Sequence, residues 1–217
     1  MNYTLIVIFS FSISFAAIIG WIRFARINPI HYPFLYCIWI GLINEIISYF
    51  VTRAGYSSAV NNNIYVLVES ILIVWQFRNW GIFQRNSHLF WLIVLLFSSV
   101  WLVENFIVGK ITYIISYFRI TYSFIIVLMS IHLINALIVR ERKTLLKNST
   151  FLICMGFVLY YTYKVLVEVF WVYGLNSGPN FRMRIYDILA YINLLSNLIY
   201  GLAFLWIPKK QRFTLPY

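Results

Sequence analysis

Glu45, Glu69, Glu104, Glu168 and Asp187 lie inside apolar stretches long enough to cross a bilayer, and of the six carboxylates only Glu141 falls in an evident loop. A charged side chain at the centre of a membrane helix costs about 2.5–3.5 kcal/mol on the insertion scale, so an ionisable group kept there marks a functional site. Two bases, Arg119 and Lys164, share these stretches. Acids therefore outnumber bases inside the apolar runs. The excess is expected to be relieved by water, by a bound cation, or by a proton held on one or more glutamates.

Helical spacing groups these residues further. Lys164 and Glu168 are four apart with Tyr161 in line, which predicts an ion pair along one helix face. Thr112, Ser116, Arg119, Ser123 and Ser130 follow a three-four spacing, and so do Tyr186, Asn193, Asn197 and Tyr200 close to Asp187. The simplest packing turns these polar faces toward one another. The candidate ligand- or proton-binding set is thus Glu45, Glu69, Glu104, Arg119, Lys164, Glu168, Asp187, Asn193 and Asn197. Ser130 and His132 would continue a pathway from it.

The elements that must position this set are membrane helices. The chain has 217 residues, is 62% hydrophobic and 20% aromatic, and has a mean hydropathy of +0.82, which excludes an ordinary soluble domain. Apolar runs of membrane-spanning length predict an all-α, polytopic protein with seven transmembrane helices near 3–22, 32–51, 63–77, 88–108, 111–139, 150–174 and 185–207, forming a single integral membrane domain over 1–217. The first run has no basic segment before it and is followed by Arg23 and Arg26, so it is expected to be a retained helix. All five prolines fall in loops, the tail or a first helical turn, which predicts helices without breaks.

Basic residues set the expected orientation. One set of loops holds Arg23, Arg26, Arg78, Arg85, Arg140, Arg142, Lys143, Lys147, Lys209, Lys210 and Arg212, against Arg53, Lys110, Arg182 and Arg184 on the other side. The larger set is expected in the cytoplasm, with the N-terminus outside and the C-terminus inside. Glu45, Glu104 and Glu168 then sit at about 8–9 Å below the outer ends of three outward-running helices. Glu69, Arg119 and Asp187 answer them on the returning helices. One acid-rich outer layer results, and one helix followed by three hairpins is a possible arrangement.

The net charge of +11 is spread over short loops, which suits anionic lipid headgroups on the cytoplasmic side and gives no platform for nucleic acid. The same basic loops, at Arg140, Arg142, Lys143, Lys209 and Lys210, are the expected docking place for a protein partner. Cys37 and Cys154 are isolated, and His31, His88 and His132 are far apart, so neither a metal nor another cofactor is expected. A retinal lysine is excluded on the last helix, where no lysine lies between Arg184 and Lys209. No glycine-rich phosphate loop or nucleophile elbow occurs, and the expectation is that the chain is not an enzyme, an intramembrane lipid enzyme being the remaining alternative.

The stretch Asn193-Leu194-Leu195-Ser196-Asn197-Leu198-Ile199-Tyr200-Gly201, its exit Trp206-Ile207-Pro208-Lys209-Lys210, and Asn63-Ile64-Tyr65 leading to Glu69 resemble a group of short seven-helix bacterial integral membrane proteins with no established activity. The resemblance implies a multi-pass protein of the bacterial plasma membrane and leans toward sensing. The expected function is a small receptor-like sensor with an outward-facing acid-rich pocket for a cationic or zwitterionic ligand or protons. The alternatives are a proton-coupled small-solute transporter or channel, and an accessory subunit of a larger membrane complex.

Overall fold

The computed structural model describes residues 3–114, 116–140, 145–173 and 179–208. Among the described residues 86% are helical and no strand occurs. In order, the helices are α1 (Tyr3–Ser10), α2 (Ile13–Arg23), α3 (Tyr32–Arg53), α4 (Ala59–Asn79), α5 (Ser87–Leu102), α6 (Tyr117–Arg140), α7 (Ser149–Tyr173) and α8 (Pro179–Trp206). Because α1 and α2 are two halves of one rod, the described residues form seven rods. Six spans are long and apolar enough to cross a membrane, from Val7–Arg26 through Arg184–Trp206. The protein is a multi-pass membrane protein.

The rod outside those six is α4, for an instructive reason. Its 21 residues would span about 31 Å at the usual helical rise, but they include Asn61, Asn62, Asn63, Glu69, Gln76, Arg78 and Asn79. Most of these polar groups are turned onto neighbouring helices. Asn61 Nδ2 donates to Asn44 Oδ1 at 2.8 Å and to Ser48 Oγ at 3.0 Å on α3. Gln76 is fully buried, with Oε1 accepting from Phe34 N at 2.9 Å and Nε2 donating to Ile30 O at 2.8 Å, so it holds the start of α3. Asn63 Nδ2 donates to the carbonyls of Ile111 and Tyr113, pinning the connection before α6.

Two helices depart from the unbroken form expected from the prolines. Around Phe11 and Ser12 the first rod tightens from i−4 to i−3 bonding: Ser12 N bonds Phe9 O, Ser14 N bonds Phe11 O, and Phe15 N bonds Ser12 O. The Ser12 and Ser14 hydroxyls donate to those same Phe9 and Phe11 carbonyls at 2.6 and 2.7 Å, and such back-bonding bends helices. The second departure is a π-helical segment, Val103–Val108, that ends α5. Asn105 Nδ2 bonds Trp101 O at 2.8 Å, inserting a side chain into the ladder, and Gly109 N reaches back five residues to Glu104 O. The helix that follows begins at Tyr117, so Thr112 and Ser116 lie ahead of α6 and not on it.

The rods close into a ring. Each of α3, α4, α6, α7 and α8 packs on its neighbour, and α8 returns to the α1–α2 rod. α5 lies against α4 and only lightly against α6, which packs chiefly on α7, so the expected middle hairpin is not a packing unit. The last and first rods are latched where the basic loops gather. Arg23 donates to the Phe204 and Ile207 carbonyls, and Asn28 N bonds Pro208 O. Arg142, Lys143, Lys209 and Lys210 lie outside the described residues, and Arg140 ends α6.

Glycines set the closest crossings. A Cβ on Gly156 of α7 would collide with the Tyr200 ring of α8, and one on Gly201 would meet Phe15 of α2. On helix propensity alone Gly156→Ala would stabilise by about 1 kcal/mol. Overpacking against Tyr200 instead predicts a loss of about 1–3 kcal/mol for Gly156→Val and a smaller loss for Gly156→Ala. Thermal unfolding of the detergent-solubilised variants checks this, and a raised melting temperature for either would contradict the crossing.

Candidate functional site

A cavity of about 70 Å³ lies at the centre of the ring. The α1–α2 rod contributes Ser10 and Ile13, α3 contributes Cys37, Gly41 and Glu45, and α4 contributes Tyr65 and Glu69. From α7 come Phe157, Tyr160 and Tyr161, and from α8 come Asn193, Asn197 and Tyr200. Ser10 and Glu45 also line a second cavity of about 150 Å³, bounded by Val7, Phe11, Ser48, Tyr49 and Thr52. Glu45 thus stands at the junction of an inner chamber and a vestibule that runs toward the Thr52 end of α3, away from the basic loops. The tightened turn of the first rod borders both spaces, and Asn197 Nδ2 secures it by donating to Ser12 Oγ at 2.8 Å.

Behind the chamber, a buried ion pair crosses from α4 to α7. Lys164 Nζ is 3.6 Å from Glu69 Oε2, with the two residues 7% and 6% exposed. Tyrosines complete the arrangement. Tyr65 OH donates to Glu69 Oε1 and Tyr122 OH to Glu69 Oε2, each at 2.9 Å, while Lys164 Nζ donates to Tyr122 OH. The ammonium is also 5.1, 5.2 and 5.4 Å from the ring centres of Tyr122, Tyr160 and Tyr161. Each carboxylate oxygen thus accepts a hydrogen bond, and the ammonium has a hydrogen bond, an opposite charge and aromatic rings around it.

The remaining charges do not join this chamber. Arg119 Nη1 lies 3.5 Å from Glu168 Oε1, Ser116 Oγ donates to Glu168 Oε2 at 2.6 Å, and Arg119 Nη2 reaches Asn63 Oδ1 at 3.4 Å. The pair expected along one helix, Lys164 with Glu168, does not form. Pairing within α7 would strand Glu69 and Arg119 in apolar surroundings, whereas crossing to α4 and α6 gives each charge an opposite partner. Glu104 is a helix cap: its two carboxylate oxygens accept from Tyr117 N and Phe118 N at the start of α6, where negative charge also complements the helix dipole. Asp187 is half-buried two turns into α8 and lines neither space.

The single acid-rich layer read from the sequence separates into a chamber group, an Arg119–Glu168 group and the Glu104 cap. Of the candidate set, the structure brings Glu45, Glu69, Asn193 and Asn197 together around the chamber, with Lys164 against its wall. The tyrosines at 65, 122 and 160 were not singled out, nor was Ser10. Tyr65 lies four residues before Glu69 and Tyr122 three after Arg119, a helical spacing that could have flagged both. Ser130 and His132 are not among the lining residues of the chamber, and no group of metal-ligating side chains converges among the described residues. No family model, curated protein or solved structure matches the chain.

Removing one partner of the buried pair should be far worse than removing both charges. Lys164→Met is expected to cost about 3–5 kcal/mol by leaving Glu69 uncompensated. Adding Glu69→Gln, which keeps the shape, accepts from one tyrosine hydroxyl and can donate to the other once Lys164 is gone, should restore most of that loss. Reversible unfolding in mixed micelles measures both, and additive losses in the double variant would contradict the pairing. For the cap, Glu104→Ala should destabilise by about 1–2 kcal/mol and Glu104→Gln by less. Hydrogen exchange at the first turn of α6 reports the change, which should be largest at Tyr117 and Phe118.

Proposed function

We propose that this chain is a small receptor-like sensor of the bacterial plasma membrane, with the chamber between Glu45 and Glu69 receiving a small cation or a proton. The N-terminus and the vestibule would face outward and the basic loops the cytoplasm, following the loop charges. One observation carries the reading: Glu45, hydrogen-bonded to Ser10, lies at the mouth of an interior chamber, and among the described residues no basic side chain pairs with it. Glu69 and Glu168 have their bases, and Glu104 has backbone amides. Of the four glutamates inside the bundle, Glu45 is thus the one that combines a place at the vestibule with no basic partner among the described residues. At about 70 Å³ the chamber accommodates a few atoms beyond a water molecule, whose share of liquid volume is about 30 Å³, so a proton or small cation fits better than a zwitterion.

The response would travel through charge pairing. Positive charge arriving beside Glu45 repels the Lys164 ammonium and competes for Glu69, biasing α7 relative to α4. α7 also carries Glu168, tied to Arg119 of α6, so both long helices leading to the basic loops would feel the shift. A cytoplasmic or membrane partner at Arg140, Arg142, Lys143, Lys209 and Lys210 would read it, and anionic headgroups would hold that face at the bilayer surface.

Spin labels at Ile22 and Val139, 73% and 79% exposed, test this in nanodiscs, since the native Cys37 and Cys154 are buried and poorly reactive. The interlabel distance should shift when pH falls from about 8 to about 5, across the range that separates neutral solution from carboxylate titration. Glu45→Gln should remove the shift. A wild-type distance that responds neither to pH nor to small cations would refute a sensing role. A second reading, a proton-coupled transporter or channel, draws on the tightened Phe11–Ser12 turn beside the chamber, because irregular helix at a cavity is common in transporters. Proton flux into liposomes that Glu45→Gln abolishes would establish it in place of sensing.

A further inference from the structure

Within the reading above, we propose that the occupant of the chamber is a primary ammonium group no larger than methylammonium, ammonium itself included, held by Glu45 against the tyrosine wall of α7.

The protein already holds one ammonium in this chemistry. Lys164 Nζ rests on a carboxylate and a tyrosine hydroxyl and lies 5.1–5.4 Å from three tyrosine ring centres. Two of those rings, Tyr160 and Tyr161, also line the chamber, where Glu45 supplies a second carboxylate. Carboxylate and aromatic surface together thus recur on the chamber side without a resident cation. Ring faces attract cations through their quadrupole, and the attraction is strongest where the cation is desolvated.

The hydrogen-bond directions agree. Tyr65 gives its hydroxyl hydrogen to Glu69, and Asn197 gives its amide hydrogens to Ser12 and Asn193. Ser10 is bonded to Glu45. The Tyr65 oxygen, Asn197 Oδ1 and the Glu45 carboxylate therefore remain as acceptors, complementary to a cation that only donates. An anion would find the opposite of what it needs. The volume favours a small occupant, because the inner chamber is about 70 Å³ and a branched or quaternary amine would have to extend into the space beyond Glu45.

Calorimetric titration of the nanodisc-embedded protein at neutral pH decides the matter, with ammonium, methylammonium, tetramethylammonium, potassium and sodium chlorides as probes. Ammonium and methylammonium should bind, and tetramethylammonium should not. Glu45→Gln should weaken binding about tenfold or more, the loss expected for a charge-assisted hydrogen bond. Tyr160→Leu, which keeps apolar bulk and removes a ring that lines the chamber, should weaken ammonium several-fold relative to sodium. Size-exclusion profiles and helicity equal to wild type qualify each variant as folded. Equal binding of potassium and ammonium, binding of tetramethylammonium, or affinity unchanged in Glu45→Gln would overturn the assignment. If no ammonium binds while the Ile22–Val139 distance still responds to pH, the ligand class is wrong and sensing stands. If both fail, the chamber is not a sensing site.

Discussion

An ammonium group placed in the apolar interior of a helix bundle must be surrounded or it will unfold the bundle, and much of the packing follows from how Lys164 is surrounded. Glu69 supplies the opposite charge from α4, and Tyr122 bridges the two from α6. The rings of Tyr160 and Tyr161 lie around it on the α7 side. These contacts tie α4, α6 and α7 to one another. Replacing the group by apolar residues could leave the bundle equally stable, so the network is better understood as setting one arrangement than as adding stability.

The helical, membrane-spanning character was legible because hydrocarbon thickness imposes run lengths that any apolar sequence must show. α4 shows where that legibility ends. Its polar residues lower its hydropathy, yet Asn63 and Gln76 are fully buried against α3, α5 and the connection to α6. A hydropathy window registers how polar a residue is and not which helix satisfies it. The same blindness explains the first rod, where Ser12 and Ser14 bend a helix that contains no proline.

For the candidate site, residue types were legible and pairings were not. Spacing along one helix favours local partners, so Lys164 was matched with Glu168, whereas the fold matches it with Glu69 from another helix. Depth alone placed Glu104 beside the other acids. Only the packed structure reveals that a π-helical turn carries it to the amides of Tyr117 and Phe118. Once those acids are accounted for, Glu45 stands apart, a distinction that one-dimensional counting of acids and bases cannot make.

The latch between the first and last rods bears on how the protein is made. Arg23 bonds the carbonyl of a residue 181 positions later, and the first rod packs on α8, which is synthesised long after it. Until then Ser12 lacks Asn197, and the faces that will line the chamber are open to lipid or to an insertion factor. Closure of the ring thus waits for the synthesis of α8. A chain truncated before α8 would leave its first helix without its principal neighbour, which makes such fragments natural substrates for membrane quality-control proteases.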